Sequence, residues 1–363
     1  MKIVLLIDGL GFGGAQRQIV NLAVELKRSG HEIEFLCYNG ENKFYLPLLE
    51  GAGITPIVVE NRNAVERLLK IRRAVKRLSP EVLISFLTTP SFCAAVASAG
   101  RHRWKHIASE RNAKESTFTS RKGRIMRGVI AKFTDVIACN SMCGATLWEK
   151  HYPATKDKLT TIYNIIDVPE QECSFSTDGK CRMVVAARYE RVKNLDGMLR
   201  AVKLLTPEER EKLEIHWYGK MDSSEETRSV VAQGKEYVSE NGLDSCVHLH
   251  PATDKIYPIM ADADYVGLFS YIEGLPNAII EGMTLRKPVI MSTVSDYAVL
   301  VDESNGFTCD PSFDESIAEA LRRAISTTAE QRARMGESSC ERIGRICSRE
   351  AVVAQWEALI KAN

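Results

Sequence analysis

The chain has 363 residues, of which 45% are hydrophobic and 26% charged. These values are typical of globular proteins, and the length suits two domains of about 170 to 190 residues. No apolar run reaches the roughly 18 residues of a membrane span, and Met1-Lys2 leads straight into an apolar strand, so the sequence predicts neither a membrane-spanning helix nor a signal peptide. The ten cysteines form no Cys-x2-Cys pair, so we expect reduced thiols in a cytoplasmic protein rather than a zinc site built from cysteines.

The net charge of +1 hides a large asymmetry between the two halves. Residues 1–168 hold 25 Lys and Arg against 15 Asp and Glu, a net of +10, whereas residues 169–363 hold 23 against 32, a net of −9. Opposite signs favour two separate domains, with the basic half facing an acidic partner.

Apolar strands and amphipathic helices alternate along the first half of the chain. A glycine-rich loop follows the first strand and opens a helix over residues 15–29. Strands are predicted over residues 2–8, 33–38, 56–60, 82–86, 106–109, 135–139 and 161–163. Such alternation predicts a doubly wound, mostly parallel α/β sheet.

The alternation weakens over the polar residues 167–180, where we place a linker, and then restarts. Further strands are predicted over residues 181–188, 213–219, 246–250, 264–269 and 288–291. The last predicted helix, residues 345–361, has no strand after it. The second half therefore predicts a second doubly wound sheet.

The glycine-rich loop raises the possibility of a dinucleotide-binding enzyme. Gly9, Gly11 and Gly14 spell Gly-x-Gly-x-x-Gly between a strand and a helix. In such enzymes an acidic residue at the end of the second strand holds the adenosine ribose. Here that strand ends in Asn39, and the nearest acid, Glu41, lies beyond the Asn39-Gly40 turn. An NAD-dependent enzyme is therefore a disfavoured alternative.

The segment Glu273-Gly-Leu-Pro-Asn-Ala-Ile-Ile-Glu281 follows an apolar run ending in Ser270. The run predicts a buried strand, the Gly-Leu-Pro stretch a turn, and residues 277–284 a short helix. One carboxylate then lies at the turn and the other on the helix. Backbone N–H groups at the helix start suit a phosphate or a sugar oxygen, and an ionised carboxylate can accept from both ribose hydroxyls. This combination predicts a nucleotide-sugar site.

A second constellation lies about 80 residues upstream. The predicted strand 181–188 ends at Arg188, and Lys193 follows five residues later at the start of a helix. Ligands of doubly wound sheets bind at the carboxyl ends of the strands, so both cations are expected in the ligand crevice.

These motifs resemble a known family of enzymes. The segment from Glu273 to Glu281 closely resembles the Glu-x7-Glu signature of retaining glycosyltransferases with the GT-B fold, family 4. Gly13-Gly14-Ala-Gln-Arg17 is similar to the Gly-Gly-Ala-Glu-Arg opening of that family, with Gln16 in place of Glu. The resemblance covers essentially the whole chain.

The resemblance implies two Rossmann-like α/β domains that face a central cleft. Residues 1–167 would form an acceptor-binding domain and residues 168–345 a nucleotide-sugar-binding domain. Residues 346–363 would form a C-terminal helix that crosses back to the first domain.

The resemblance also implies roles for single residues. Arg188 and Lys193 would bind the donor diphosphate and stabilise it as it leaves, since two cations offset the charge that grows on the leaving group. Glu273, the third catalytic residue, would orient the donor sugar together with backbone N–H groups of the turn. The donor-binding residues would be Gly13, Gly14, His250, Gly274, Leu275, Pro276, Asn277 and Glu281, with Glu281 on the ribose and His250 beside the nucleobase. The acceptor-side residues would be Arg17, Glu110, Arg111 and Asn112.

The activity implied is transfer of a hexose or N-acetylhexosamine from a nucleotide sugar, UDP-linked rather than GDP-linked, to a saccharide acceptor in surface polysaccharide biosynthesis. A glycosidase is disfavoured because a turn and a helix put the two carboxylates roughly 10 Å or more apart, against about 5 Å in a retaining hydrolase. Alternatives are a nucleotide-sugar epimerase of the same fold, the NAD-dependent enzyme, and a non-catalytic nucleotide-sugar-binding protein.

We expect no metal cofactor. Arg188 and Lys193 supply positive charge, and no Asp-x-Asp pair lies at a strand end. His248 and His250 alternate on one strand, but no acidic or thiol partner is spaced with them in the sequence.

Basic segments in the first half, residues 62–77, 101–106 and 121–132, predict contact with an anionic membrane surface. This would place the protein peripherally on the inner face of the cell membrane, with a polyprenyl-diphosphate-linked acceptor, the class common among the bacterial relatives that the chain resembles. Alternatively, these helices only expose solvated Lys and Arg. We expect no nucleic-acid partner.

Overall fold

A computed structural model describes residues 1–100, 102–111 and 114–362. The chain forms two compact units, one of Met1–Ile165 with the C-terminal segment from Arg349, the other of Ile166–Ser348.

The first unit is built on a seven-stranded parallel sheet with the order β3-β2-β1-β4-β5-β6-β7. Its strands are β1 (Lys2–Leu6), β2 (Glu32–Cys37), β3 (Ile57–Val58), β4 (Val82–Phe86), β5 (Lys105–Glu110), β6 (Val136–Cys139) and β7 (Leu159–Thr161). Its helices within the first 165 residues are α1 (Gly14–Arg28), α2 (Leu46–Gly51), α3 (Ala64–Leu78), α4 (Thr88–Ala97), α5 (Glu115–Thr119), α6 (Arg121–Phe133) and α7 (Met142–His151), with a 3₁₀ helix at Pro153–Lys158.

The central strands of this sheet are apolar because helices cover both of its faces. Leu5 lies opposite Phe35 on one side and Ile84 on the other, and all three side chains are fully buried. Helix α1 buries Ile19 and Leu26 on the face that packs against this core, as expected for a seven-residue spacing.

The second unit is built on a six-stranded parallel sheet with the order β10-β9-β8-β11-β12-β13. Its strands are β8 (Cys181–Ala186), β9 (Leu213–Gly219), β10 (Val247–Pro251), β11 (Tyr265–Leu268), β12 (Val289–Ser292) and β13 (Gly306–Cys309). Its helices are α8 (Leu195–Lys203), α9 (Pro207–Glu211), α10 (Glu225–Glu240), α11 (Ile256–Ala261), α12 (Asn277–Thr284), α13 (Tyr297–Leu300), α14 (Asp314–Ser326) and α15 (Ala329–Cys347), with a 3₁₀ turn at Arg191–Lys193. Both sheets confirm the prediction of doubly wound α/β structure.

The C-terminal helix differs from its predicted bounds. Residues 345–361 were expected to be one helix, but the chain is extended at Ser348, where α15 ends, and α16 (Arg349–Lys361) begins after it. Helix α16 packs within the first unit, where Trp356 stacks on Phe86 with ring centroids 5.9 Å apart. Serine favours the helix boundary because its side chain competes for backbone hydrogen bonds.

Within the described residues, every helix is too short or too polar to cross a membrane.

Candidate functional site

The predicted motif of Arg188 and Lys193 and the predicted motif that begins at Glu273 follow two neighbouring strands of the second unit. Strand β8 leads into Arg188, and strand β11 leads into the turn that carries Glu273. The two strands are parallel neighbours, with Val184 opposite Val266. Their carboxyl ends therefore meet at one edge of the sheet, which is where doubly wound folds bind ligands.

Lys193 and Glu273 form an ion pair at this edge. The Lys193 Nζ atom is 2.6 Å from Glu273 Oε1, and the two side chains are 15% and 11% exposed. Ser270 Oγ donates to the same carboxylate oxygen at 2.7 Å. Ser292 Oγ in turn donates to the Ser270 carbonyl at 2.7 Å, so the end of β11 is tied to β12. Glu273 is thus held in one position and its charge is balanced.

Asn194 fixes the turn that presents Lys193, and the sequence argument assigned it no role. It has a left-handed backbone with φ of 62°, which asparagine tolerates better than most residues. Its buried side chain accepts from Gly197 N at the start of α8 and donates to the carbonyls of Phe269 at 3.1 Å and Pro311 at 3.0 Å. The signal available in the sequence is an asparagine directly before an amphipathic helix.

Arg188 lies on the surface, where its side chain is 65% exposed and pairs with Glu190 at 2.7 Å. Its neighbour Tyr189 is fully buried, and the Tyr189 hydroxyl bonds the carbonyls of Trp217 and His250 at 3.0 and 2.8 Å. The Tyr189 side chain therefore anchors the segment beside Arg188 to β9 and β10. The Arg188 guanidinium remains accessible to an anion.

Helix α12 begins at Asn277, as predicted, and its N-cap residue is Pro276, which makes no side-chain capping hydrogen bond. The backbone N–H groups at such a start favour an anion or a sugar oxygen. Ser295 Oγ donates to the Gly274 carbonyl and fixes the preceding turn. No described heavy atom lies within 4 Å of the place that a Gly274 Cβ would take, so the turn borders open space.

Glu281 lies in the second turn of α12 and is partly buried. The Tyr257 hydroxyl approaches its Oε1 to 3.5 Å from α11, at the outer limit of a hydrogen bond. Glycine follows at position 282, where a Cβ would come within 2.6 Å of the Val266 side chain. Glycine at this position lets α12 pack closely against β11, and this packing fixes the distance of Glu281 from the sheet.

His250 lies near the carboxyl end of β10 and stacks on Tyr218 with ring centroids 4.5 Å apart. Its Nε2 is 3.0 Å from His216 Nδ1. Burial lowers the pKa of both His250 and His216, because it disfavours the charged imidazolium.

The sequence argument that no acidic partner accompanies His248 is wrong. Glu214 Oε1 lies 3.1 Å from His216 Nε2 and 3.8 Å from His248 Nε2. The partner comes from β9, because His248 lies opposite His216 in the parallel register of the two strands. Spacing along the sequence does not show a partner on a neighbouring strand.

The predicted residues of the glycine-rich loop lie in the first unit at the start of α1. Helix α1 begins at Gly14, and Gly13 has an extended backbone with φ of 179°. The Arg17 amide donates to the Gly13 carbonyl at 3.0 Å. Gln16 Nε2 donates to Asp8 Oδ1 at 3.0 Å, so this side chain folds back to the end of the preceding strand segment.

Two predicted acceptor-side residues make firm contacts within the first unit. Glu110 is buried, and its Oε2 lies 2.8 Å from Arg127 Nη2 in an ion pair whose side chains are 4% and 1% exposed. Arg111 Nη1 donates to Asn164 Oδ1 at 2.6 Å, and its guanidinium lies 4.2 Å from the centre of the Phe86 ring. Burial lowers the pKa of Arg111. The contacts of Glu110 join β5 to α6.

The acceptor-side prediction for Asn112 lies outside the described residues. The acceptor-side and donor-binding roles remain predictions.

Comparison with known families gives two matches. Residues 12–170 match the family model described as Glycosyltransferase Family 4, and residues 180–327 match the one described as Glycosyl transferases group 1.

Curated relatives and a solved structure extend the comparison. One relative is the GalNAc-alpha-(1->4)-GalNAc-alpha-(1->3)-diNAcBac-PP-undecaprenol alpha-1,4-N-acetyl-D-galactosaminyltransferase of Campylobacter jejuni. The two chains are 23% identical over 292 residues, and the aligned region covers 78% of this chain and 77% of the relative. It is 22% identical over 340 residues to the capsular polysaccharide biosynthesis glycosyltransferase CapH of Staphylococcus aureus, with 90% and 91% covered. The structure of Anabaena Alr3699/HepE in complex with UDP superposes with a TM-score of 0.84 at 17% identity, covering 99% of both chains.

These matches, together with the two parallel sheets, support a glycosyltransferase. Its fold is the GT-B fold, as predicted.

Proposed function

We propose that the protein is a retaining glycosyltransferase that moves a hexose or N-acetylhexosamine from a UDP-sugar to a lipid-linked saccharide during surface polysaccharide biosynthesis. The observation that carries this proposal is the Lys193–Glu273 ion pair at 2.6 Å beside the start of α12. The ion pair and the start of α12 together bring a cation, a fixed carboxylate and the backbone N–H groups of a helix N-terminus to one edge of the sheet.

The donor diphosphate is assigned to Arg188 and Lys193. An ammonium group has three N–H donors, so Lys193 can keep its bond to Glu273 and still donate to a phosphate oxygen. Arg188 is exposed and can turn its guanidinium toward the same diphosphate. Both charges act most strongly when the bond to the sugar breaks and negative charge grows on the leaving group.

The nucleoside and the sugar are assigned to α12 and its preceding turn. Glu281 accepts from the two ribose hydroxyls, and Glu273 with the N–H groups of Gly274 and Leu275 orients the sugar. The open space beside Gly274 agrees with a sugar lying against this turn. UDP is favoured as the nucleotide because the structural neighbour from Anabaena was solved in complex with UDP.

The anomeric configuration is retained because the acceptor attacks the same face of the donor sugar that the diphosphate leaves. The bond between the anomeric carbon and the diphosphate oxygen breaks, the acceptor hydroxyl oxygen bonds the same carbon, and its proton passes to the departing phosphate. Glu273 does not act as the nucleophile in this scheme but orients the donor sugar, and its Oε1 accepts from both Lys193 and Ser270. No metal ion takes part, since the two cations offset the leaving charge.

A lipid-linked acceptor is supported by a groove in the first unit. The groove has a volume of about 830 Å³ between α3, α4 and α6. Apolar side chains, including Phe92 and Ile125, share its lining with Arg67, Arg121 and Lys122. Apolar surface next to cations suits a lipid that carries a phosphate, and each cation near an anionic leaflet contributes about 1 kcal/mol. The Campylobacter relative is named for an undecaprenol-linked substrate. We therefore propose that the protein acts at the inner face of the cell membrane.

A thermal-shift panel tests the donor assignment. UDP and UDP-sugars should raise the unfolding temperature more than GDP-sugars at equal concentration, because binding to the folded state stabilises it. Glu281→Ala should reduce the shift, because UDP then binds more weakly. Stabilisation by NAD without any response to UDP would contradict the proposal and favour a dinucleotide-linked enzyme.

Turnover separates the remaining alternatives. A transferase releases UDP only in the presence of an acceptor, whereas an epimerase converts the donor without one. A non-catalytic binding protein would show the thermal shift with no turnover under either condition.

A further inference from the structure

Three side chains with metal-ligating atoms converge on one face of strands β9 and β10. Glu214 and His216 are two residues apart on β9 and therefore point to the same face. His248 lies opposite His216 on β10, the edge strand of the sheet. The three side chains are 21%, 25% and 32% exposed, so an ion from solvent can reach them.

The distances between the ligand atoms fit a small ion. The Glu214 carboxylate oxygen is 3.1 Å from His216 Nε2 and 3.8 Å from His248 Nε2, and all three atoms lie within 4.8 Å of one another. Bonds of about 2.0–2.1 Å in a tetrahedral site place the ligand atoms roughly 3.3–3.4 Å apart. The observed separations of 3.1 and 3.8 Å lie on either side of this spacing.

Groups around the cluster orient its members. His216 Nδ1 is 3.0 Å from His250 Nε2, which leaves His216 Nε2 directed at Glu214. The second oxygen of Glu214 faces Arg182 Nε at 3.5 Å, so the first oxygen is the one turned to the histidines. A second contact from the far ring nitrogen is common for a metal-binding histidine, because it fixes the ring and its tautomer.

We propose that Glu214, His216 and His248 bind a divalent ion of the zinc type. Two imidazoles and a carboxylate are a ligand set that suits Zn²⁺ better than the harder Mg²⁺ or Ca²⁺. Water completes the coordination. None of the three ligands is itself assigned to the donor, although His216 contacts the predicted donor-binding residue His250. The ion holds β9 to β10 at the edge of the sheet.

Zinc binding to EDTA-treated, dialysed full-length protein tests the proposal. Titration calorimetry should show one equivalent bound by the wild type, with Co²⁺ giving a visible absorption band when it replaces Zn²⁺. His216→Ala and His248→Ala should each weaken binding by more than about tenfold. Circular dichroism shows whether each variant folds. If one variant does not fold, the other still tests the proposal.

His151→Ala is the matched control. His151 Nε2 contacts Glu115 Oε1 at 2.8 Å in the first unit, and no third ligand from the described residues joins this pair in a cluster. This variant should bind Zn²⁺ as the wild type does, and Zn²⁺ should raise its unfolding temperature equally. Absence of Zn²⁺ binding by the wild type, or wild-type affinity for Zn²⁺ in both the His216→Ala and His248→Ala variants, would overturn the proposal.

Discussion

Replacement of Lys193 by alanine should damage catalysis far more than folding. The Lys193 side chain is 15% exposed, and its Nζ atom lies 2.6 Å from Glu273 Oε1, next to the predicted position of the donor diphosphate. Loss of one preorganised donor to a developing negative charge costs roughly 2.7–4 kcal/mol, or about 10²–10³ in kcat. The effect on donor affinity should be smaller, because the charge on the diphosphate is greatest as it leaves.

The same change should also lower the free energy of unfolding. Glu273 keeps its bond from Ser270 but loses a charged hydrogen bond, which contributes about 1.5–3 kcal/mol. Because both side chains are partly exposed, we expect the lower part of that range, about 2 kcal/mol. Arg191 provides the control, since it lies in the same 3₁₀ turn with an exposed side chain. Arg191→Ala should change stability by less than about 0.5 kcal/mol.

Steady-state release of UDP, measured with a coupled assay at varied donor concentration, separates the two effects. Lys193→Ala should lower kcat by at least about a hundredfold with a smaller change in KM, whereas Arg191→Ala should leave both constants near those of the wild type. A Lys193→Ala enzyme with nearly full kcat would refute the catalytic assignment. Equal losses in both variants would show that general positive charge, rather than the Lys193 position, is responsible.

Further predictions concern the rest of the proposed donor site, the core and the basic surface. Glu281→Ala should weaken UDP binding measured by calorimetry by roughly 1.5–3 kcal/mol per lost hydrogen bond, and unchanged affinity would remove the ribose assignment. Arg188→Ala should reduce kcat more than donor affinity, and turnover of the wild type should persist in EDTA; activity that vanished with EDTA and returned with Mn²⁺ would contradict metal-independent transfer. Burial lowers the pKa of His106 to about 4, below its unfolded value near 6.5, so only the unfolded chain binds the proton between these values. Stability should therefore fall by up to about 3 kcal/mol as pH drops from 6.5 to 4, and urea unfolding of His106→Gln should show a shallower slope; equal slopes would refute this. Binding to anionic but not neutral liposomes should weaken as salt rises and on charge reversal of Arg121 and Lys122, whereas equal binding to both vesicle types, or to neither, would favour a soluble acceptor.

The sheets could be predicted because their strands carry long apolar runs. The predicted strands 82–86 and 213–219 coincide with β4 and β9. Strand β13 was missed, since it has only four residues and begins at a glycine. The strand predicted at 161–163 lies two residues earlier, at Leu159–Thr161, because residues beyond it are buried without belonging to the sheet.

The candidate donor site was predictable where its residues are close in sequence. Glu273, the turn and the helix from Asn277 form one continuous segment, and the structure reproduces its predicted bounds. Contacts between segments were not predictable. The bonds of Asn194 to the end of β11 and the burial of Glu110 against Arg127 depend on how distant strands and helices pack. For the same reason, the sequence could not predict the contact between Glu214 and His248 of β10.

The anomeric configuration of the product tests the proposed function most directly. Proton NMR would follow the reaction of an α-linked UDP-hexose or UDP-N-acetylhexosamine with polyprenyl-diphosphate-linked saccharides in the presence of EDTA. We predict release of UDP that requires the acceptor, and a new glycosidic bond in the α configuration. A β-linked product, or conversion of the donor at the same rate without any acceptor, would contradict retaining transfer by this protein.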